Sequence, residues 1–264
     1  MRKHLLIMIC VAMLVLPTGM ATAADGNNGK WLDTSELDKG VVTVKYAVKP
    51  NVKTKVMIMK GEQRYTYQLH SGDDEESFPL QMGNGKYRVL VLEHLSEKSY
   101  KVLKSEYVQL ALKDANKLYL NSVQNVKWTS TDEAIKKAAV LTKGLETDAE
   151  KVKAIYQFII TTIKYDEKLA KTVTTDYLPD IDQTLSEKKD ICYGYAALFG
   201  AMMRSLDVPT KLVMGEADDI KTYHAWNEVF LNGEWVVIDT TIDAGAKNAE
   251  MVKDSSKYSA QKVY

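Results

Sequence analysis

The hydrophobic pattern of the chain changes near residue 126, and this change limits the architectures that the chain can adopt. From Gly40 onward, apolar and polar residues alternate in short runs such as Val42 to Val48, and turn clusters such as Lys60-Gly61 separate the runs. A period of two with regular turns is typical of antiparallel strands, so we predict a small β-sandwich domain over residues 40–125.

After about residue 126 the hydrophobic period changes to 3.6, and residues 126–264 are predicted to form a second domain. Capping boxes at Ser130–Glu133 and Thr147–Glu150 mark two helix starts. A third helix is expected to begin near Cys192 and to end at Asp207–Pro209.

A sheet is predicted to follow that third helix. Its strands are expected at Thr210–Met214, Tyr223–Leu231 and Glu234–Thr240. Residues 165–190 are acidic and show no regular period, so we expect a long loop there. Helices packed on an antiparallel sheet, preceded by a β-sandwich, place the chain in the α+β class.

The first 24 residues have the organisation of a secretory signal peptide. Arg2 and Lys3 precede the twelve-residue apolar run from Leu5 to Leu16, and Ala21-Thr22-Ala23 supplies small residues for cleavage. The alternative is an uncleaved membrane anchor, but spanning a bilayer takes about 20 apolar residues. We therefore expect a secreted protein that is extracellular or associated with the cell wall and has no stable membrane insertion. Residues 25–39 are expected to form a flexible leader.

The charge balance argues against one class of partner. Lys plus Arg and Asp plus Glu each number 35, which gives a formal net charge of zero. Nucleic-acid-binding proteins usually carry a basic excess, so no nucleic-acid partner is expected.

The cysteines point to chemistry at one position. Cys10 lies in the predicted signal peptide, so cleavage would leave Cys192 as the one cysteine of the mature chain. A single thiol in an exported protein cannot form an internal disulfide; it pairs with another chain or stays reactive. The alternative is an inert cysteine buried beneath its helix.

A tight hairpin brings a histidine and a carboxylate together. Asn232-Gly233 is a strong signal for a two-residue turn, which pairs Leu231 with Glu234. Continuing that register makes Asp239 a diagonal neighbour of His224 on the same face, about 7–8 Å apart at the backbone and within side-chain reach. The alternative is an isolated strand histidine with an unrelated carboxylate.

Cys192, His224 and Asp239 together have the composition of a thiol nucleophile with its base and an orienting acid. The N-terminus of a helix favours a thiolate at Cys192. Asp190 works against this, because a nearby negative charge disfavours the thiolate. We therefore expect Cys192 to depend on His224 for activation.

Metal ligands and cofactor motifs are not expected. His70 and His94 lie at predicted strand ends without ligand-like spacing. The acidic residues of segment 165–190 do not match the spacing of an EF-hand loop.

Three ordered motifs resemble the transglutaminase-like superfamily, in particular its secreted bacterial members that carry an accessory β domain. These motifs are Asp190 to Phe199, His224 to Val229 and Gly233 to Thr241. The resemblance spans about residues 130–245 and implies a papain-like core, in which Cys192 is the nucleophile, His224 the base and Asp239 the orienting acid.

The chain departs from the pattern of this superfamily at two positions. Asp190 stands where many members have glycine, and Thr240 where many have proline. The second oxyanion donor has no clear counterpart, and Tyr177 and Gln183 are its candidates in this sequence.

The sequence thus predicts a secreted thiol enzyme that acts on peptide or glutamine amide bonds through an acyl-enzyme. Its partner would be a protein or peptide substrate, with an association to the cell envelope. Hydrolysis is slightly favoured over transfer to a lysine amine, because nothing marks an amine site. The alternative from another class is a non-catalytic cell-surface or cell-wall binding protein that retains the fold, which the presence of all three residues argues against.

Overall fold

A computed structural model describes residues 30–70, 75–218, 220–246 and 249–264 of the chain. The predicted signal peptide, residues 1–24, lies outside these described residues. Within the described ranges, no helix is long and apolar enough to cross a membrane.

The N-terminal part consists of two antiparallel sheets whose inner faces share one buried cluster. Its strands are β1 (Leu32–Asp33), β2 (Val41–Lys45), β3 (Thr54–Lys60), β4 (Gln63–Leu69), β5 (Glu75–Pro79), β6 (Gly85–Ser96) and β7 (Ser99–Leu110). One sheet has the order β1-β2-β5 and the other β4-β3-β6-β7. Alternation explains the packing, because Val56 and Ile58 of β3 lie beside Val91 and Val89 of β6 and all four are fully buried.

The expectation of a flexible leader over residues 25–39 is wrong for its second half. Leu32 and Asp33 form β1 and pair with Val44 and Thr43 of β2. The side chain of Leu32 is fully buried in the sandwich, and this burial of apolar surface holds the segment in the sheet.

The second part places helices against an antiparallel sheet of order β13-β12-β11-β10-β14, which confirms the predicted α+β class. Its helices are α1 (Glu133–Leu141), α2 (Asp148–Thr162), α3 (Glu167–Thr172), α4 (Ile181–Glu187), α5 (Cys192–Ser205) and α6 (Thr240–Asp243). Its strands are β8 (Lys164–Tyr165), β9 (Lys189–Asp190), β10 (Thr210–Ala217), β11 (Ile220–Leu231), β12 (Glu234–Ile238), β13 (Val252–Lys253) and β14 (Tyr258–Val263). Helix α5 is almost entirely buried and packs on β10 and β11.

Of the two predicted capping boxes, one is confirmed and one is wrong. The Thr147 hydroxyl accepts the N–H of Glu150 while the Glu150 carboxylate accepts the N–H of Thr147, which starts α2. Helix α1 instead begins after Asp132, and its first N–H groups donate to the carboxylate of Asp182. A cap supplied by another helix is invisible to a search for local motifs.

The long loop predicted over residues 165–190 is also wrong, because α3 and α4 lie within it. The acidic residues there are the reason. The Asp166 carboxylate accepts the N–H groups of Lys168 and Leu169, and Asp180 caps α4 in the same way. These carboxylates start short helices, which lack the length needed to show a clear period.

The hairpin between β11 and β12 has the predicted register. Leu231 pairs with Glu234, and the pairing continues without a shift to Asn227 and Ile238. Asn232 and Gly233 have φ angles of 52° and 90°, the left-handed values that a tight turn of this type requires. The strand predicted over Glu234–Thr240 ends at Ile238, because Asp239 is the N-cap of helix α6.

Candidate active site

His224 and Asp239 meet at the end of the hairpin. The Nε2 atom of His224 lies 2.7 Å from Oδ2 of Asp239. His224 lies on β11 opposite Gly215 of β10, while Asp239 directly follows β12. The structure therefore brings together the two residues that the hairpin register predicts to be neighbours.

The carboxylate of Asp239 is fully buried, and both its oxygens accept hydrogen bonds. Oδ1 accepts the backbone N–H groups of Thr241 and Ile242 at 3.1 and 3.2 Å, so Asp239 is also the N-cap of α6. Oδ2 accepts the imidazole N–H of His224 and the hydroxyl of Tyr258. Four donors from three elements thus fix the plane of the carboxylate and compensate for its burial.

His224 is held in its protonated form by its neighbours. Burial alone would lower the pKa of His224, but hydrogen bonds to Asp239 and Cys192 outweigh it and raise that pKa to about 9. Since Nε2 faces Asp239, Nδ1 is left for the thiol. The imidazole is therefore hydrogen-bonded to the carboxylate and close enough to Cys192 for the thiol to influence its pKa.

Cys192 is the first residue of α5 and is partly exposed. The preceding residue, Ile191, is the N-cap and offers no side-chain acceptor to the first turn. The sulfur therefore sits where backbone N–H groups and the positive end of the helix dipole are available to a negative charge. The predicted helix start is confirmed here.

Asp190 points beneath the first turn of α5 rather than into solvent. Its carboxylate accepts the hydroxyls of Tyr177 and Thr184, at 2.8 and 2.6 Å, and the N–H of Ile191 at 2.7 Å. Burial raises the pKa of Asp190, and these three hydrogen bonds partly oppose that rise. The packing is so close that a Cβ on Gly194 would lie 1.9 Å from Cγ of Asp190. Asp190 therefore ties the segment before α4, helix α4 itself and the start of α5 together.

The two candidates for a second oxyanion donor are engaged elsewhere. The Tyr177 hydroxyl donates to Asp190, and the Gln183 amide donates to Glu187 on the exposed side of α4. Neither side chain is directed to Cys192 by these bonds.

Two tyrosines near the site were not singled out by the sequence. Tyr258 of β14 donates its hydroxyl to Oδ2 of Asp239 at 3.2 Å. Tyr165 of β8 is 42% exposed, and burial followed by the charge of Cys192 raises its pKa. Tyr165 also lines an open groove of about 590 Å³ bounded by residues of β8 and β9.

Metal-binding geometry does not arise among the described residues. Across the part of the chain that the structure describes, histidine, cysteine, aspartate and glutamate side chains do not gather in groups of three or more that could hold an ion. The arrangement is instead a thiol, an imidazole and a buried carboxylate, which are the groups that thiol enzymes combine for attack on a carbonyl group.

Comparison with known proteins finds a family match over the region that holds these residues. The family model described as the transglutaminase-like superfamily matches residues 135–240. In that region the chain is similar to the transglutaminase-like superfamily. The match begins inside α1 and ends just after Asp239, so it contains Cys192, His224 and Asp239.

The curated relatives are much longer than this chain. Human kyphoscoliosis peptidase is 30% identical over 148 residues, which are 52% of this chain and 22% of the relative. The mouse protein of the same name is 31% identical over 115 residues, which are 40% of this chain and 17% of the relative. The chain thus spans about a fifth of the length of these relatives.

Among solved structures, the periplasmic domain of TgpA from Pseudomonas aeruginosa is similar to this chain. The alignment covers 79% of this chain and 90% of the TgpA domain. The identity is 13% and the TM-score 0.37.

Proposed function

We propose that the chain is a thiol enzyme that acts on peptide or glutamine amide bonds through an acyl-enzyme at Cys192. The observation that carries the proposal is the chain of contacts from the partly exposed thiol at the N-terminus of α5, through His224, to the buried carboxylate of Asp239. The three groups follow one another in the order that a thiol nucleophile, its base and an orienting acid require.

In the first half-reaction, the Cys192 thiolate forms a bond to the carbonyl carbon, and the carbonyl electron pair moves onto oxygen. Backbone N–H groups of the first turn of α5 stabilise this oxyanion. Collapse of the tetrahedral intermediate breaks the C–N bond, and protonated His224 donates its proton to the leaving amine. The product is a thioester on Cys192.

In the second half-reaction, His224 accepts a proton from the attacking molecule, and the C–S bond breaks. Water as the attacking molecule gives a carboxylic acid, whereas a lysine amine gives a cross-linked amide. Hydrolysis is slightly favoured, because nothing in the sequence marks an amine-binding site. Asp239 keeps the imidazole oriented and stabilises its positive charge in both steps.

The location of the protein follows from the sequence alone. Residues 1–24 are proposed to direct export, so the substrate would be an extracellular or cell-envelope protein or peptide. The second candidate is a cell-surface binding protein that retains this fold without turnover.

The test compares the protein with Cys192→Ala and with His224→Gln. Each is incubated with a thiol-directed probe, a labelled primary amine and a mixture of proteins. Cleavage that both substitutions abolish supports hydrolysis, and incorporation of the amine that both abolish supports transfer. If Cys192 of the unsubstituted protein neither reacts with the probe nor supports turnover, the enzyme proposal fails and the binding protein takes its place.

A further inference from the structure

Tyr258 reaches the site from outside the region that the superfamily model matches. It is the first residue of β14, which pairs antiparallel with β10 and places Tyr258 opposite Ala217. The matched region ends at residue 240. Strand β14 therefore adds a side chain to a site whose other members lie within the match.

The hydroxyl and the ring of Tyr258 make different contacts. The hydroxyl donates to Oδ2 of Asp239, the same oxygen that accepts the His224 N–H. The ring lies against Trp226, with centroids 5.1 Å apart, and Trp226 in turn stacks beside His224 at 6.3 Å with an interplanar angle of 23°. The imidazole, the indole and the phenol thus lie side by side across the sheet, and the hydroxyl of the phenol donates to the Asp239 carboxylate.

We propose that Tyr258 is a positioning residue, whose hydroxyl fixes the Asp239 carboxylate and limits how strongly it holds the proton of His224. The proposal rests on the proposed function, because positioning matters only if His224 carries a proton in the reaction. Tyr258 acts through Asp239 and is not itself a catalytic residue.

The surroundings of Asp239 determine what loss of the hydroxyl would do. The carboxylate faces His224 from β11, the amides of Thr241 and Ile242 from α6, and Tyr258 from β14. Tyr156 of α2 is a further neighbour, and its hydroxyl donates to Asp243 at 2.8 Å.

Without Tyr258's hydroxyl, Oδ2 keeps a single side-chain donor. A carboxylate with fewer donors binds the remaining one more strongly, so the proton of His224 would be held more tightly. A more tightly held proton is transferred less readily to the leaving group.

Tyr258→Phe separates the hydroxyl from the ring, because phenylalanine can still pack on Trp226. In nuclear magnetic resonance titrations we expect the His224 midpoint to rise by about half a pH unit in this variant. Turnover should fall a few-fold, and thermal unfolding should stay close to that of the unsubstituted protein. The His224 signals are assigned by their loss in His224→Gln.

Two further variants complete the test. Tyr107→Phe removes the hydroxyl of a tyrosine that is 58% exposed on β7, and should leave the His224 midpoint unchanged. Tyr258→Leu removes the ring as well and should lower thermal stability. If Tyr258→Phe titrates like the unsubstituted protein while Tyr258→Leu does not, the ring alone matters and the proposal is overturned.

The titration is independent of enzyme activity, so the two proposals fail in different ways. An unreactive Cys192 in the unsubstituted protein would remove the proposed function. An unchanged His224 midpoint in Tyr258→Phe would remove the role of Tyr258, whether or not Cys192 reacts.

Discussion

Asp239 binds His224 with one carboxylate oxygen and begins helix α6 with the other. Both contacts are made by a side chain with no solvent exposure. The orientation of the imidazole is therefore coupled to the point at which strand β12 ends and the next helix begins.

The substitution Asp239→Asn removes the negative charge of this side chain but keeps its size and shape. Asparagine caps helices about as well as aspartate, so α6 should be retained. The negative charge that stabilises imidazolium is lost, and we expect turnover to fall on the order of 10²–10⁴-fold. Turnover is measured by steady-state kinetics on a Cys192-dependent substrate, and circular dichroism verifies that the fold is retained.

The matched control is Asp254→Asn. Asp254 also caps a helical turn through its carboxylate, by accepting the N–H of Ser256, but it lies at a 3₁₀ turn on the surface. The substitution Asp254→Asn should leave turnover unchanged. Full activity in Asp239→Asn would remove Asp239 from the proposed mechanism.

The pKa of His224 predicts where activity declines at high pH. Burial lowers this pKa, but the bonds to Asp239 and Cys192 raise it from 6.5 to about 9. Below that value the imidazolium can protonate a leaving amine, and above it the proton is absent. We expect kcat/KM to fall with a midpoint near pH 9, and the midpoint to move to lower pH in Asp239→Asn. A decline near pH 6.5 would show that His224 titrates as an ordinary histidine.

The pairing of His224 with Asp239 could be predicted from the sequence because a local signal determines it. Asn232-Gly233 sets the turn, and the turn sets every pair along the two strands. The α+β class could be predicted for a similar reason, since the change in hydrophobic period is visible within short windows.

Tyr258 and Leu32 could not be found in this way. Tyr258 reaches Asp239 because β14 pairs with β10. Its partner in that pairing, Ala217, is 41 positions earlier in the chain, and no turn residue predicts the pairing. Leu32 joins β2 in a two-residue strand, too short to show alternation. Contacts between distant segments depend on packing that a local pattern does not contain.

Tyr177→Phe tests how Asp190 is held. The substitution removes the hydroxyl that contacts both oxygens of the Asp190 carboxylate. Leaving a buried acceptor with one donor fewer costs about 1–3 kcal/mol of the free energy of unfolding. We expect chemical denaturation to show a loss of this size at pH 7.

The sign of the pH effect gives a second readout for the same variant. Burial already raises the pKa of Asp190 above its ordinary value of 3.8, so folding disfavours the ionised form. The contribution of this group to the free energy of unfolding therefore falls as the pH rises above 3.8. Loss of Tyr177's hydroxyl raises that pKa further, so the defect should shrink as the pH is lowered toward 4. Tyr223→Phe, at a tyrosine that is 53% exposed, should change stability by less than about 0.5 kcal/mol at either pH. A defect in Tyr177→Phe that does not vary with pH would mean that the charge of Asp190 is not involved.

Gly194→Ala tests the close contact between the first turn of α5 and Asp190. An alanine Cβ would lie 1.9 Å from Cγ and 2.1 Å from Oδ2 of Asp190, so the carboxylate must leave the hydroxyls of Tyr177 and Thr184. We expect a loss of about 3–5 kcal/mol in denaturation and slower alkylation of Cys192, because the start of α5 moves with it. Gly200→Ala is the control on the same helix, since its Cβ would meet nothing closer than 3.4 Å and alanine favours helix by about 1 kcal/mol. Equal stability of the two variants would mean that Asp190 can move aside without cost, and that it does not hold Cys192 in place.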